Sequence, residues 1–241
     1  MRYGALINTA AIIIGGIFGL LFGKLIRENI KDTVIKGIGA CTIFIGASGA
    51  LAKIFVIEGG TISTVGSVMM IVCMVLGAIV GEILDIDGLM ERFGGWLKIK
   101  SGSAKDGGFI DAFVTTTLIV GVGAMAVVGS IQDGLTGDYS ILLLKSVLDL
   151  ITVALMTSAM GKGCIFSAVP VLILQGGITI LAGLMEPLMT QEALANISQT
   201  GNVMITMIGI NMIRPKTFRA GNYLPALIFA VVWALIGLPM T

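Results

Sequence analysis

Apolar runs of about 16 to 22 residues, scarcely broken by charge, recur along the whole of this chain. Of its 241 residues 56% are hydrophobic and 12% charged, with a mean hydropathy of +1.03, more hydrocarbon than a soluble core of this length covers. The runs predict an integral membrane protein. A membrane β-barrel would alternate in segments of about ten residues, so the expected fold is all-α, a polytopic membrane helix bundle forming one transmembrane domain over residues 1–241. The 34 glycines suit such a bundle, because they let helix backbones approach closely in lipid.

Eight spans fit the runs, at about 5–25, 37–56, 63–84, 109–131, 140–160, 163–185, 200–213 and 221–238. The seventh is short for a crossing and carries Asn202 and Asn211, and the second has Lys53 near one end. Ile12 to Ala50 reads like Leu172 to Met212: a span with a Gly-Gly pair, a polar amphipathic linker, then a Gly-rich or polar-interrupted apolar segment. An odd number of crossings separates the copies, which makes them an inverted-topology repeat. Repeat one covers about 5–84, a central span pair about 109–160 and repeat two about 163–238, so spans one to three correspond to spans six to eight. In this reading spans two and seven are short broken helices of the kind that frame a midplane site in secondary transporters. Two Gly-rich segments also align through composition alone.

Basic residues alternate between the loops. Lys24, Arg27, Lys31 and Lys36 follow span one, Arg92, Lys98, Lys100 and Lys105 follow span three, Lys162 follows span five, and Arg214, Lys216 and Arg219 follow span seven. The other side has only Arg2, Lys53 and Lys145. By the positive-inside rule the odd-numbered loops are cytoplasmic and both termini lie outside. The N-terminal run has no clear small-residue cleavage site and is read as a retained first span.

The absence of histidine removes the commonest general base and metal ligand. Cys41, Cys73 and Cys164 lie in apolar runs without metal or disulfide spacing and read as small packing residues. A net charge of +1 leaves no nucleic-acid footprint, and no phosphate-binding Gly-x-x-x-x-Gly-Lys motif occurs. No enzyme activity, cofactor or metal is expected. The expected partners are the lipid bilayer and a small polar solute or ion.

Polar side chains inside spans are costly in lipid, so each is a candidate for a solute or ion path. Lys145 and Asp149 stand four apart in span five, on one helix face, where they can neutralise each other. That spacing serves an ion pair that fixes packing as well as it serves a proton- or cation-binding site on Asp149. Gln132 and Asp133, with Asp138, lie at the turn between spans four and five. Thr42 and Ser48 in span two, and Asn202, Thr206 and Asn211 in span seven, either contact a solute or bond helices to one another. Thr116 belongs to the Thr115–Thr117 run ahead of Gly121 and Gly123, where at least one hydroxyl is expected to back-bond and loosen the helix. Gln175 precedes the second Gly-Gly pair where the first copy has Ile14, which suits a substrate contact or an interhelical bond. Gly15, Gly19 and Gly23, and Gly77 with Gly81, form Gly-x-x-x-Gly stripes that join helices within a bundle or across a homodimer. Glu82, Asp85, Asp87, Glu91 and Arg92 read as a solvated helix-end face.

The run VGVGAMAVVGSIQDGLTGDYSILLLKSVLD, continuing to GKGCIFSAVPVLILQGGI, and the opening GALINTAAIIIGGIFGLLFG carry a resemblance. They resemble the YdfK/YqgA-like bacterial membrane proteins grouped as domain-of-unknown-function family 554, over essentially the whole chain. GSIQDG from Gly129 to Gly134, Gly137 with Asp138, Lys145, Ser146, Leu148 and Asp149, and Gln175 with Gly176 match that pattern. The resemblance implies a multi-pass protein of the bacterial cytoplasmic (inner) membrane, with transport as the only activity suggested. Three functions fit the residues: a secondary transporter with a midplane site between spans two and seven and the four-five pair, a dimeric passive channel, or a non-transporting scaffold. The short loops leave a scaffold little surface outside the membrane.

Overall fold

The computed structural model describes residues 3–23, 28–58, 60–121 and 124–237; Arg2, Lys24, Arg27 and Gly123, on which parts of the charge and flexibility readings fall, lie outside them. Helices dominate, as the apolar runs predict. They are α1 Gly4–Gly23, α2 Glu28–Ile54, α3 Ser67–Leu84, α4 Ile86–Lys100, α5 Phe109–Gly121, α6 Ala124–Thr136, α7 Ser140–Met160, α8 Ala168–Ile180, the single turn α9 Ala182–Met185, α10 Gln191–Ile213 and α11 Pro225–Ile236. A small antiparallel hairpin, β1 Phe55–Glu58 with β2 Thr61–Thr64, joins α2 to α3 and pairs Phe55 with Thr64. Five helical segments among the described residues are long and apolar enough to cross a membrane, and α5 with α6 makes a sixth if counted as one bent span. α10 has the length, at 23 residues, but its amides make it too polar to qualify, and Ala220–Ile236 is apolar but short.

The chain sorts into two compact units, Met1–Ile38 with Gly88–Met185, and Gly39–Asp87 with Glu186–Thr241. Each takes segments from both halves of the sequence.

In the first unit the buried face of α1 includes Gly4, Asn8, Ile12, Gly15, Gly16 and Gly19. Gly15, Gly19 and Gly23 lie against the backbones of Leu150, Ala154 and Ser158, so α1 and α7 run parallel in a register of four residues. A Cβ at these positions would meet backbone, which only glycine avoids. Gly16 meets Ile165 and Asn8 meets Gln175, so the segment leading through α8 runs antiparallel to α1. Gly176 and Gly177, by contrast, have open space around them. The two Gly-Gly pairs therefore share a place in sequence order but not a packing role. α5 and α6 differ in direction by 62°.

In the second unit α2 crosses α10 antiparallel, Gly39 against Gly209 and Met212, Gly46 against Thr206 and Asn202, and Gly49 against the Asn202 amide. Gly77 and Gly81 of α3 lie against Ala226 and Asn222, again antiparallel. Both Gly-x-x-x-Gly stripes are thus filled from within the chain. This corrects the homodimer reading of those faces, because a groove occupied by Leu150 or by Asn222 has no room for a second subunit.

α2 and α10 are unbroken over 27 and 23 residues, so spans two and seven are not short broken helices. The polar residues that suggested a break bond along their own helices. Ser48 Oγ donates to the Ile45 carbonyl at 3.1 Å, Asn202 Nδ2 to the Ser198 carbonyl at 2.7 Å, and Thr206 Oγ1 to the Asn202 carbonyl at 3.0 Å. Back-bonding of this kind satisfies a polar side chain without interrupting the backbone ladder. The interruption lies instead after α5, beyond the threonine run, although neither Thr116 nor Thr117 back-bonds.

Within each unit the helix ends gather at opposite poles. In the first unit Gly23 meets Ser158, and Gly163 meets Phe109, while at the other end Gly4 meets Asp133 and Leu142. In the second unit the end of α3 is tied to the loop after α10. Arg219 pairs with Glu82 at 2.5 Å and with Asp85, and Asp87 Oδ1 accepts from the Gly221 N–H at 2.9 Å. The hydrogen bond to Asp85, with Glu82 adding to it, holds the Arg219 guanidinium above its ordinary basicity. These acidic residues form a network and not merely a solvated face. Gly15→Leu is expected to lower the unfolding midpoint in detergent by about 6–12 °C, whereas Gly176→Ala stays within about 2 °C of the parent; equal shifts would show that the α1–α7 contact does not limit stability.

Candidate functional site

Charged groups persist inside a helix bundle only where protein atoms replace water. α7 sets Lys145 and Asp149 one turn apart on its buried face, with 8% and 5% of their surfaces exposed. Lys145 Nζ lies 2.8 Å from Asp149 Oδ1 and 2.7 Å from Oδ2, and it also donates to the Val120 carbonyl at 2.8 Å. Val120 is the last residue but one of α5, beside the bend that separates α5 from α6. The dipole there is negative. One ammonium thus neutralises a carboxylate and holds the end of α5.

Asn8 of α1 and Gln175 of α8, both fully buried, extend this arrangement. Asn8 Nδ2 donates to Asp149 Oδ2 at 2.9 Å and to Gln175 Oε1 at 3.1 Å. A carboxylate paired with lysine only accepts, so Asn8 turns its NH₂ towards it and Gln175 answers with its oxygen. Asn8 Oδ1 and Gln175 Nε2, an acceptor and a donor, remain buried without partners.

Polar side chains continue in both directions. Near the start of α1, Asp133 of α6 is fully buried; its Oδ2 accepts from the Gly4 N–H at 3.1 Å and its Oδ1 has no partner. Ser130, one turn back on α6, and Thr179, one turn beyond Gln175, also bury unpartnered hydroxyls. The other way lie Thr116 and Thr117 of α5 and Thr157 of α7, with Thr116 and Thr157 beside the Cys164 thiol. Among the described residues no three His, Cys, Asp or Glu side chains come together in a way that could hold a metal ion.

Of the residues singled out in the sequence, Lys145, Asp149, Asp133, Gln175 and Thr116 fall in this unit. Gln132 is turned away, its Nε2 donating to Asp138 Oδ2 at 2.6 Å in the exposed α6–α7 turn. There the Ser140 hydroxyl and backbone N–H hold the Asp138 carboxyl below its ordinary range. Thr42, Ser48, Asn202, Thr206 and Asn211 belong to the second unit. Asn211 clasps Phe218, donating to its carbonyl at 2.7 Å and accepting from its N–H at 2.8 Å, which ties α10 to the next loop. Sequence reasoning misses Asn196 and Gln199, whose amide nitrogens bond the Ala230 and Gly66 carbonyls at 3.2 and 3.3 Å while their oxygens stay unpartnered. It also misses Asn8, although a lone amide in the apolar α1 carries the same signal that marks Gln175.

The model of a family described as "Protein of unknown function (DUF554)" matches residues 3–235. The uncharacterized protein YqgA of Escherichia coli (strain K12) is 26% identical over 235 residues, covering 96% of this chain and 95% of its own. The uncharacterized membrane protein YdfK of Bacillus subtilis (strain 168) is 26% identical over 230 residues, covering 95% of this chain and 94% of its own. No solved structure matches at a comparable level.

Lys145→Met strands a buried carboxylate and is expected to cost on the order of 3 kcal/mol, of which Lys145→Met/Asp149→Leu recovers a large part. Thermal unfolding of the full double-mutant cycle measures the coupling, and additive losses would mean that the two residues do not act as a pair.

Proposed function

The chain belongs to the DUF554 family, whose description names no activity, and from that premise we propose that it is a secondary transporter of a small polar solute or ion in the bacterial cytoplasmic membrane and not an enzyme. The observation that carries this reading is the series of buried polar side chains through the first unit. Near its middle are a carboxylate–ammonium pair, a helix-end carbonyl and two unpartnered amide atoms. A protein that only had to hold its helices together would satisfy such atoms or replace them with hydrocarbon, since each unpartnered one costs about 1–3 kcal/mol. A site that takes up and releases a solute has to keep some of them available.

The helix pairing supports an inverted repeat. α1 with α8, α2 with α10 and α3 with α11 are the pairs matched in sequence, and each packs antiparallel, as copies related by a two-fold axis in the membrane plane do. Spans one and six then meet at Asn8 and Gln175, beside the central pair that brings Lys145 and Asp149. Motion between copies would expose this site alternately to the two sides. The basic loops set the N-terminus and the α6–α7 turn outside the cell.

Two measurements test this. Reconstituted protein on a solid-supported membrane should give transient, saturable currents in a gradient of its solute, lost in Asp149→Asn when equal amounts of folded protein are reconstituted. Full flux in the variant would remove Asp149 from the mechanism, and a sustained unsaturable current would make the protein a channel. In a background lacking Cys41, Cys73 and Cys164, Tyr139→Cys should react with an impermeant maleimide on intact cells, and Lys105→Cys only after permeabilisation. The reverse pattern would invert the topology.

A further inference from the structure

The surroundings of the Lys145 ammonium are those of a bound cation. Three oxygens stand within 2.8 Å: Oδ1 and Oδ2 of Asp149 and the Val120 carbonyl where α5 ends. A carboxylate combined with a carbonyl from an interrupted helix is a donor set by which membrane carriers hold sodium: hard oxygens, one full negative charge and the negative end of a helix dipole. A fourth oxygen becomes available if the Asn8 amide turns over. Asn8 Nδ2 already bonds Asp149 Oδ2 at 2.9 Å, and Oδ1 of the same amide is buried without a partner. The helices α1, α5, α6 and α8 contain no lysine or arginine, so Lys145 is the one positive side chain on these helices and α7, against the carboxylates of Asp111, Asp133 and Asp149.

We propose that the Lys145 ammonium is a tethered substitute for a coupling cation, occupying a latent monovalent-cation site formed by Asp149, the Val120 carbonyl and the Asn8 amide oxygen. The native protein therefore needs neither sodium nor potassium, and removal of the ammonium gives the site to a free alkali cation. An ammonium and an alkali ion carry the same charge and seek the same oxygens. They differ in that the side chain cannot leave. The word coupling rests on the transport reading above, but occupancy of the site is an equilibrium property, so failure of one is distinguishable from failure of the other.

The test is thermal unfolding of the full-length chain in detergent, in matched sodium, potassium and choline chloride. The native midpoint is expected to be the same in all three. Lys145→Ala should be less stable in choline and rise saturably with sodium or potassium, by about 3–6 °C at ten times the dissociation constant. Adding Asp149→Asn should abolish that rise. Should Lys145→Ala aggregate in choline, its recovery by sodium or potassium during solubilisation supports the site, and Lys145→Gln provides the same readout with a smaller void. Midpoints of the variants that ignore the cation, aggregation of both variants in every salt, or an equal sodium shift in the native protein would overturn the proposal.

Discussion

A carboxylate taken out of water in the middle of a helix bundle must find a cation and enough donors, because a stranded charge there costs several kcal/mol. Asp149, midway along the 21 residues of α7, imposes that condition on its neighbours. Lys145 supplies the charge from one turn away, and Asn8 supplies a neutral donor from a different helix. Lys145 in turn reaches Val120, so the end of α5 is held by the same ammonium. Three helices are therefore brought together on one carboxylate, and Gln175 adds a fourth through Asn8.

Such contacts need helices that approach closely, and glycine provides the approach. The face of α1 that carries Asn8 also carries Gly15 and Gly19, and these set the α1 backbone directly on that of α7. A larger residue in that stripe would separate the helices and draw the Asn8 amide away from Asp149. Packing and polar chemistry thus occupy one stripe of one helix. In the second unit the same device works without charge, Gly46 and Gly49 closing on Asn202 and Thr206.

Much of this was legible in the sequence, and the parts that were not share a cause. The helical class, the Lys145–Asp149 pair and the interest of Gln175 followed from rules of spacing and of burial in lipid, which are local. Asn202 and Thr206 looked like marks of a broken helix because composition does not reveal whether a polar side chain bonds to its own backbone. Here it does, four residues back, and α10 stays whole. The bend between α5 and α6 has no comparable polar signature, and the use of the buried Val120 carbonyl beside it becomes visible only when Lys145 is seen to bind it. Asn8 is far from Asp149 in sequence, and a single amide near the start of an apolar run does not announce its partner.

The surroundings of α1 are uneven. Towards α7 its glycines are locked against backbone at Leu150, Ala154 and Ser158, whereas across from it Gly176 and Gly177 follow Gln175 with nothing packed on them. Close backbone contact resists sliding, since any shift drives main-chain atoms together. Two unpacked glycines in succession are where a helix bends at the smallest cost. The Asn8–Gln175 hydrogen bond joins these two regimes, a firm α1–α7 pair on one side and the pliable turn of α8 on the other. It is also a bond between neutral amides, one of which keeps an unused acceptor and the other an unused donor. In the carrier proposed above, a solute offering both kinds of group would replace it without loss of hydrogen bonding and would leave the Lys145–Asp149 pair intact behind it.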